Sequence, residues 1–316
     1  MSARGETVRR FACFGSVVEV RVGGRSPGGT APQVAAMLAQ GRLLAIHGRL
    51  SRFEPTSELS LLNADPRETV HASRLLRRLA RAVVEAGERS GGLVDATLVS
   101  ELERAGYGAS RAGLPGLSAA ELRSAGARCP ARAHPDRAWR SIVVDDAERT
   151  ITRPPGLRID SGGLGKGLAA DILGRALAGH DAFAVGCAGD VRIGGRAGVL
   201  RPVLVEDPAG GPPLHTFHVA DGAVATSGIA RRSWRDADGA AAHHLLDPAT
   251  GLPAWTGVVQ ATALAATALE AETLAKAALL AGPRHGRELL RGGGLLVLDD
   301  GTVDVVECQA QALRAA

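Results

Sequence analysis

The stretch RIDSGGLGKGLAADILGRAL, residues 158–177, predicts the end of a strand, a glycine-rich turn and a helix. Glycines let a backbone approach a ligand closely, and the free N–H groups at a helix start favour an anion such as a pyrophosphate. Lys166 would add a positive charge at that point. The turn is not a GxxxxGK[ST] phosphate loop, because Gly167 stands where serine or threonine is required, and it lacks the glycine spacing of a dinucleotide fingerprint. An ordinary strand–helix turn remains the alternative.

On both sides of this stretch, strand-like and helix-like patterns are intermixed without a regular βαβ repeat. This favours an α+β fold over a doubly wound sheet. We expect helices over residues 32–51, 72–89 and 266–281, a hairpin from 141–145 and 150–152, and further strands over 17–22, 182–186, 191–194, 202–206, 223–226, 295–299 and 303–307. The expected buried stripe of the first helix is Val34, Leu38, Leu43, Leu44 and Ile46.

The length and composition limit the classes of protein to which this chain can belong. The chain has 316 residues, of which 45% are apolar, and a formal net charge of +4. This length is enough for one large domain or two closely joined halves. We expect a single domain over 1–316 whose two halves meet near 140–155. The basic charge is scattered and has no aromatic interleaving, which argues against a nucleic-acid surface. The sequence has neither an apolar leader before the first strand nor a run of about 20 apolar residues, so we expect no membrane insertion and a cytoplasmic location.

The segment HHLLDPATG, residues 243–251, places two histidines before a turn. A histidine at such a place could act as an acid or base, with Asp247 orienting its ring. The alternative interpretation is a histidine–aspartate pair that only stabilises the turn.

A third segment, EAETLAK at residues 270–276, carries Glu272 and Lys276 four residues apart, the favoured order for an ion pair on a helix. Apolar neighbours place both side chains close to an apolar region. Lys166 and Lys276 are the only lysines among 37 basic residues. Since an ammonium and a guanidinium are not interchangeable at a tight site, these two positions are candidates for a function that needs lysine.

Seven segments in order resemble motifs of the ApbE family. They are SRFEPTSELSLLN (51–63), GGLVDATL (91–98), IDSGGLGKGLAAD (159–171), AGD (188–190), VEDP (205–208), AVATSG (223–228) and HLLDPATG (244–251). The resemblance covers the chain from about Phe14 to Gly282. It implies a T-fold-like α+β architecture with mixed or antiparallel sheets and flanking helices. It also implies an FAD:protein FMN transferase, which cleaves the FAD pyrophosphate with a divalent cation, usually magnesium, attaches FMN to a Thr or Ser of an acceptor protein and releases AMP.

The resemblance implies roles for individual residues. His244 aligns with a histidine that activates the acceptor hydroxyl, and Lys166 could hold a phosphate oxygen. Phe14 takes the place of a family methionine, and Phe53 the place of an aromatic residue that packs on the flavin nucleotide. The implied FAD contacts are Phe14, Phe53, Leu93, Val94, Asp95, Asp160, Lys166 and Leu246.

The implied metal site departs from the family pattern, which has an aspartate followed four residues later by a threonine. Here Glu272 and Lys276 stand at these positions, and the implied ligands are Glu272 with the main-chain carbonyls of Gly163 and Ala275. A protonated lysine has no lone pair for a cation, and magnesium requires a nearly octahedral set of oxygens.

Two arrangements are therefore open. Lys276 pairs with Glu272 or swings away while a metal binds elsewhere on the pyrophosphate, or its ammonium takes the place of the metal. Two other functions also remain open, a flavin-binding protein without transferase activity and an FAD pyrophosphatase that releases free FMN.

Overall fold

The computed structural model describes residues 5–308. Its helices are α1 (Pro32–Leu50), α2 (Glu58–Ala64), α3 (Arg74–Arg89), α4 (Val99–Arg104), α5 (Ala119–Ser124), α6 (Gly165–Leu177) and α7 (Ala268–Leu289), with a 3-10 helix at Ala138–Ser141. Its strands are β1 (Thr7–Cys13), β2 (Ser16–Gly23), β3 (Thr69–His71), β4 (Val143–Asp145), β5 (Thr150–Thr152), β6 (Ala182–Cys187), β7 (Asp190–Gly194), β8 (Arg201–Val205), β9 (His215–Val219), β10 (Gly222–Gly228), β11 (Ser233–Arg235), β12 (Ala241–His243), β13 (Leu246–Asp247), β14 (Leu252–Pro253), β15 (Val258–Ala265), β16 (Gly294–Leu298) and β17 (Val303–Val306).

An eight-stranded sheet in the order β1-β2-β6-β7-β10-β15-β16-β17 forms the centre of the molecule. Every neighbouring pair in it is antiparallel. Strand β2 joins the sheet through β6, with Val20 opposite Val185, so elements from both ends of the described chain share one sheet. The predicted α+β fold with antiparallel sheets is confirmed, and the predicted strands and hairpin are present with ends that shift by one or two residues.

Helices α1, α6 and α7 cover one face of this sheet, and the main core lies between the helices and strands β2, β6 and β10. The prediction for α1 was wrong in part. Leu43 and Ile46 are buried, but Val34, Leu38 and Leu44 are exposed by 44, 61 and 43%. The side that contacts the sheet also carries alanines 35, 36 and 39, because small side chains let the helix backbone lie close to the strands.

Helices α6 and α7 approach each other closely where the candidate site lies. A Cβ atom added to Gly167 would lie 2.6 Å from the carbonyl oxygen of Ala268, so only glycine fits at that position. The carboxylate of Asp171 on α6 accepts hydrogen bonds from the backbone N–H groups of Ala268 and Leu269, at 2.8 and 2.9 Å. These contacts fix the start of α7 against α6.

Helix α7 extends beyond the predicted residues 266–281. It bends at Gly282, which has φ +77°, and Pro283 follows before the helix continues to Leu289. A proline and a left-handed glycine are ordinary causes of such a bend. The first segment, up to Ala281, carries Glu272 and Lys276.

The predicted strand end before the glycine turn was wrong, since residues 158–160 are not in a strand. The side chain of Asn63 instead bonds both the N–H and the carbonyl of Ile159, each at 2.8 Å. The N–H of Asp160 donates to the carbonyl of Ala96 at 2.8 Å. The glycine turn is therefore fixed directly beside the loop at 91–98. Among residues 5–308, no helix has the length and apolarity that crossing a bilayer requires.

Candidate active site

A cleft with an empty volume of about 670 Å³ lies where the glycine turn, the loop at 91–98, the segment after β12 and helix α7 meet. Its walls are mostly apolar and carry a few charged groups. The lining residues are Leu93, Val94, Asp95, Ala96, Leu98, Leu102, Tyr107, Asp160, Gly162, Gly163, Leu164, Arg232, His244, Leu245, Leu246, Lys276 and Leu280.

His244 is held in a defined tautomer. Its Nδ1 lies 3.3 Å from the carbonyl oxygen of Arg232, so Nδ1 carries the proton that is donated to that oxygen. Burial, with an added contribution from the Arg232 guanidinium, holds the pKa of His244 well below 6.5. The imidazole is therefore neutral at physiological pH, and Nε2 keeps its lone pair.

The neighbouring His243 has a different role. It is fully buried, its Nε2 bonds the carbonyl of Ala254 at 3.1 Å, and its Nδ1 accepts from the N–H of Leu245 at 3.2 Å. The expectation that Asp247 orients the catalytic ring was wrong, because its carboxylate accepts from the N–H groups of Arg132 and Ala249. Asp247 stabilises the turn, and a main-chain carbonyl orients His244.

The two lysines of the chain meet at one buried carboxylate. The ammonium groups of Lys166 and Lys276 each lie 3.0 Å from Oε1 of Glu272. The other oxygen, Oε2, accepts the N–H of Gly167 at 2.8 Å. Lys166 also pairs with Asp190, whose side chain is almost fully buried. The close contact of α6 and α7 thus places two cations and two anions together.

Burial works against charge on all members of this cluster, but their mutual contacts outweigh it for two of them. Although burial alone would lower the pKa of Lys166, the carboxylates of Asp190 and Glu272 raise it. Burial would raise the pKa of Glu272, yet the two ammonium groups lower it. Burial also raises the pKa of Asp190, but the charge of the Lys166 ammonium opposes this rise. Burial lowers the pKa of Lys276, and the carboxylate of Glu272 opposes this. We assign Lys166, Asp190 and Glu272 as charged, and Lys276 as an ammonium paired with Glu272.

Two further carboxylates lie on the cleft wall. Oδ1 of Asp160 lies 3.1 Å from Nε of Arg52, and the guanidinium of Arg52 stacks 4.3 Å from the ring of Phe53. Asp95 accepts hydrogen bonds from the N–H and hydroxyl groups of Thr97, and burial raises its pKa. Both acids are polar points on otherwise apolar walls.

Comparison with known proteins identifies the family. The sequence model of the ApbE family matches residues 14–297. The chain belongs to the ApbE family. It is 30% identical to the FAD:protein FMN transferase of Treponema pallidum over 306 residues, which cover 90% of this chain and 82% of the relative.

Solved structures of ApbE proteins have the same fold. The ApbE protein of Thermotoga maritima superposes with a TM-score of 0.77 at 27% identity, covering 96% of this chain and 97% of that one. The ApbE flavinyl transferase of Pseudomonas stutzeri superposes with a TM-score of 0.73 at 22% identity, covering 97% of each chain. The T-fold-like architecture that the resemblance implied is thereby confirmed.

The residues that ApbE resemblance singled out divide into two groups in the structure. Those that line the cleft are Leu93, Val94, Asp95, Asp160, Gly163, His244, Leu246 and Lys276. Those outside its lining are Phe14, Phe53, Lys166, Glu272 and Ala275. The ring of Phe14 packs edge-on against His47, with centroids 5.1 Å apart, and Phe53 packs edge-on against Tyr107, with centroids 5.7 Å apart. Lys166 is connected to the cleft-lining Lys276 through the carboxylate of Glu272 that both lysines contact.

Sequence reasoning missed two polar residues of the cleft. Tyr107 is the single tyrosine of the chain, a rarity that could have drawn attention to it. Its ring stacks on Trp234, with centroids 5.5 Å apart, and meets His244 edge-on. Arg232 had no distinguishing signal, because arginine is the common basic residue here.

The magnesium ion that the family resemblance implies does not fit these residues. Both oxygens of Glu272 are engaged, one by two ammonium groups and the other by a backbone N–H. The side chain of Lys276 fills the space beside Gly163, where its Cε lies 3.3 Å from the position of a Cβ on that glycine. Residues 5–308 contain no group of three or more His, Cys, Asp and Glu side chains that could hold a metal ion.

Proposed function

We propose that this protein is an FAD:protein FMN transferase, which attaches FMN from FAD to a threonine or serine of an acceptor protein and releases AMP. The observation that carries the proposal is His244, a neutral imidazole whose Nε2 is available beside the Arg232 and Lys276 side chains of the cleft. The relative from Treponema pallidum, which matches most of the chain, has this activity by name.

The chemistry follows from these groups. The acceptor hydroxyl gives its proton to Nε2 of His244 as its oxygen forms a bond to the phosphorus of the FMN half. The bond from that phosphorus to the bridging oxygen breaks, and AMP leaves with the electron pair. Positioned cations stabilise the charge that develops on the phosphate oxygens. The charge of Arg232 also disfavours the imidazolium, so the proton passes on to solvent and the base is restored.

The apolar walls hold the rest of the donor. Leu93, Val94 and Leu246 contact the nucleotide through apolar surface, and Asp95 and Asp160 offer it hydrogen-bond acceptors. Lys166 acts on the reaction through Glu272, whose carboxylate it holds in place, and is a positioning residue. The flavin contacts of Phe14 and Phe53 stay predictions.

The test is a product analysis. The purified protein is incubated with FAD and an acceptor protein that carries a candidate threonine. The matched control is the same acceptor with a Thr→Val replacement, which removes the hydroxyl. We expect AMP in solution and an acceptor whose mass rises by FMN less water. Free FMN with AMP and an unmodified acceptor would instead identify a pyrophosphatase, and bound FAD without AMP would identify a flavin-binding protein.

A further inference from the structure

Arg232 carries a guanidinium that has no partner in the described part of the protein. Its side chain lines the cleft and is half-buried, yet it makes no hydrogen bond or ion pair within residues 5–308. Nearby arginines behave differently, since Arg231 pairs with Glu206 and Arg235 pairs with Glu121. A half-buried, unpaired guanidinium in a cleft can donate two parallel hydrogen bonds to an anion.

Lys276 brings a second cation to the same cleft. One carboxylate, Glu272, is shared between Lys276 and Lys166, and the remaining charge of Lys166 is matched by Asp190. An ammonium has three N–H donors, and the structure uses one of those of Lys276, on Glu272. Pairing with Glu272 and facing the cleft are therefore compatible, and two donors are left for a ligand.

Both cations act on the reacting region. Arg232 and Lys276 each lower the pKa of His244 by their charge, so both lie within electrostatic range of the imidazole that would take the acceptor proton. Arg232 also orients that ring through its own carbonyl. A phosphorus placed for attack beside His244 would have its oxygens near these two side chains.

We propose that Arg232 and Lys276 together bind the pyrophosphate of FAD, so that this protein binds and cleaves its donor without a divalent cation. The proposal rests on the FMN transferase function above. The guanidinium offers a two-pronged contact to phosphate oxygens, and the ammonium offers a point charge at the place beside Gly163 where the family resemblance implies a metal. A divalent ion at Glu272 would first have to displace Lys276 and would then face two ammonium groups.

The experiment measures FAD binding by flavin fluorescence, and AMP release in the presence of the acceptor protein. Both are measured with protein freed of metal and kept in EDTA, and then with magnesium in excess over the chelator. We expect the wild type to bind and cleave FAD in EDTA, with rates and affinities within about twofold of those in magnesium. Dependence of either FAD binding or AMP release on added magnesium would overturn the proposal.

Variants that remove one of the two charges test whether Lys276 and Arg232 bind the pyrophosphate. Lys276→Met and Arg232→Met should each weaken FAD binding in EDTA at least tenfold but leave riboflavin, which has no phosphate, bound as before. Arg231→Met is the matched control, because that neighbouring arginine is exposed and paired with Glu206, and it should change neither. Lys276→Arg keeps a cation and should recover part of the affinity, which also covers the case in which Lys276→Met does not fold.

The two proposals fail in different ways. FAD binding in EDTA that depends on Lys276 and Arg232, without AMP under any condition, would contradict the transferase function and support the cation pair. AMP release that requires magnesium, or unchanged FAD affinity in both methionine variants, would contradict the cation pair alone.

Discussion

The Nζ atom of Lys276 lies 3.0 Å from Oε1 of Glu272, one helical turn earlier, and both side chains are buried. An exposed pair with this spacing contributes only about 0.3–0.5 kcal/mol. A buried pair contributes little net stability for a different reason, since its desolvation offsets its attraction, but removing one member leaves an uncompensated charge. Glu272 is the more sensitive member because two ammonium groups depend on it.

Glu272→Gln should therefore lower the free energy of unfolding by about 3–5 kcal/mol, measured by urea denaturation. The matched control is Glu85→Gln, which removes the carboxylate of an exposed pair with Arg89 at the same spacing. We expect the control to stay within about 0.5 kcal/mol of the wild type. Equal effects of the two changes would show that the buried carboxylate is not needed to hold the lysines.

His244→Gln should slow AMP release by about 10²–10⁴-fold, the usual contribution of a general base, and should change FAD affinity little. The measurement is single-turnover AMP release alongside FAD binding. His285→Gln is the control, because that histidine is exposed and lies outside the lining of the cleft. A rate of His244→Gln close to that of the control would remove His244 from the mechanism.

The acid side of the pH–rate profile should reflect the environment of His244. Burial, Arg232, His243 and Lys276 all lower its pKa, and the hydrogen bond to the carbonyl of residue 232 opposes them only weakly. A base whose pKa is lowered stays neutral to lower pH, so kcat/KM should fall only well below pH 6.5. Arg232→Met should move this fall to higher pH. A fall centred at or above 6.5 in the wild type would contradict the assignment.

His243 should make stability depend on pH. Burial lowers its pKa from 6.5 to about 4. As pH falls from 6.5 towards 4, His243 binds a proton in the unfolded chain but stays neutral in the folded protein. The free energy of unfolding should therefore fall by about 3 kcal/mol over this range. Urea denaturation across this range checks it. His243→Gln should reduce the slope and His285→Gln should not.

Gly167→Ala should separate helices α6 and α7, because the new methyl group would lie 2.6 Å from the carbonyl of Ala268. We expect a loss of about 1–3 kcal/mol in the free energy of unfolding and weaker FAD binding. Gly41→Ala, on α1, is the control, because nothing lies within 4 Å of its new methyl group. That change should stabilise the protein by about 0.5–1 kcal/mol. Similar effects at the two glycines would mean that the helices are not held at contact distance.

Local patterns predicted the fold class, and the resemblance to the ApbE family predicted much of the cleft. The motifs around Asp95, Asp160 and His244 lie in turns and loops, and the structure brings them to one cleft. The i, i+4 spacing of Glu272 and Lys276 predicted their pairing, which is confirmed.

What could not be predicted depends on contacts between distant segments. The ammonium of Lys166 on α6 pairs with Asp190 on strand β7 and with Glu272 on helix α7. The orienting group of His244 is the carbonyl of Arg232, and no side-chain pattern shows where a main-chain oxygen lies. In α1 the bulky apolar residues suggested one face, whereas the alanine-bearing side contacts the sheet.

The scarcity of lysine gives this site built-in spectroscopic reporters. Lysine labelled with ¹³C at Cε and incorporated during expression marks only Lys166 and Lys276 in this chain, and it leaves their N–H donors unchanged. Because both side chains contact Glu272, any ligand that approaches Lys276 also changes the environment of Lys166. Two Cε signals in an otherwise silent spectrum would then follow occupancy of the cleft in the wild-type protein, without a substitution in the site.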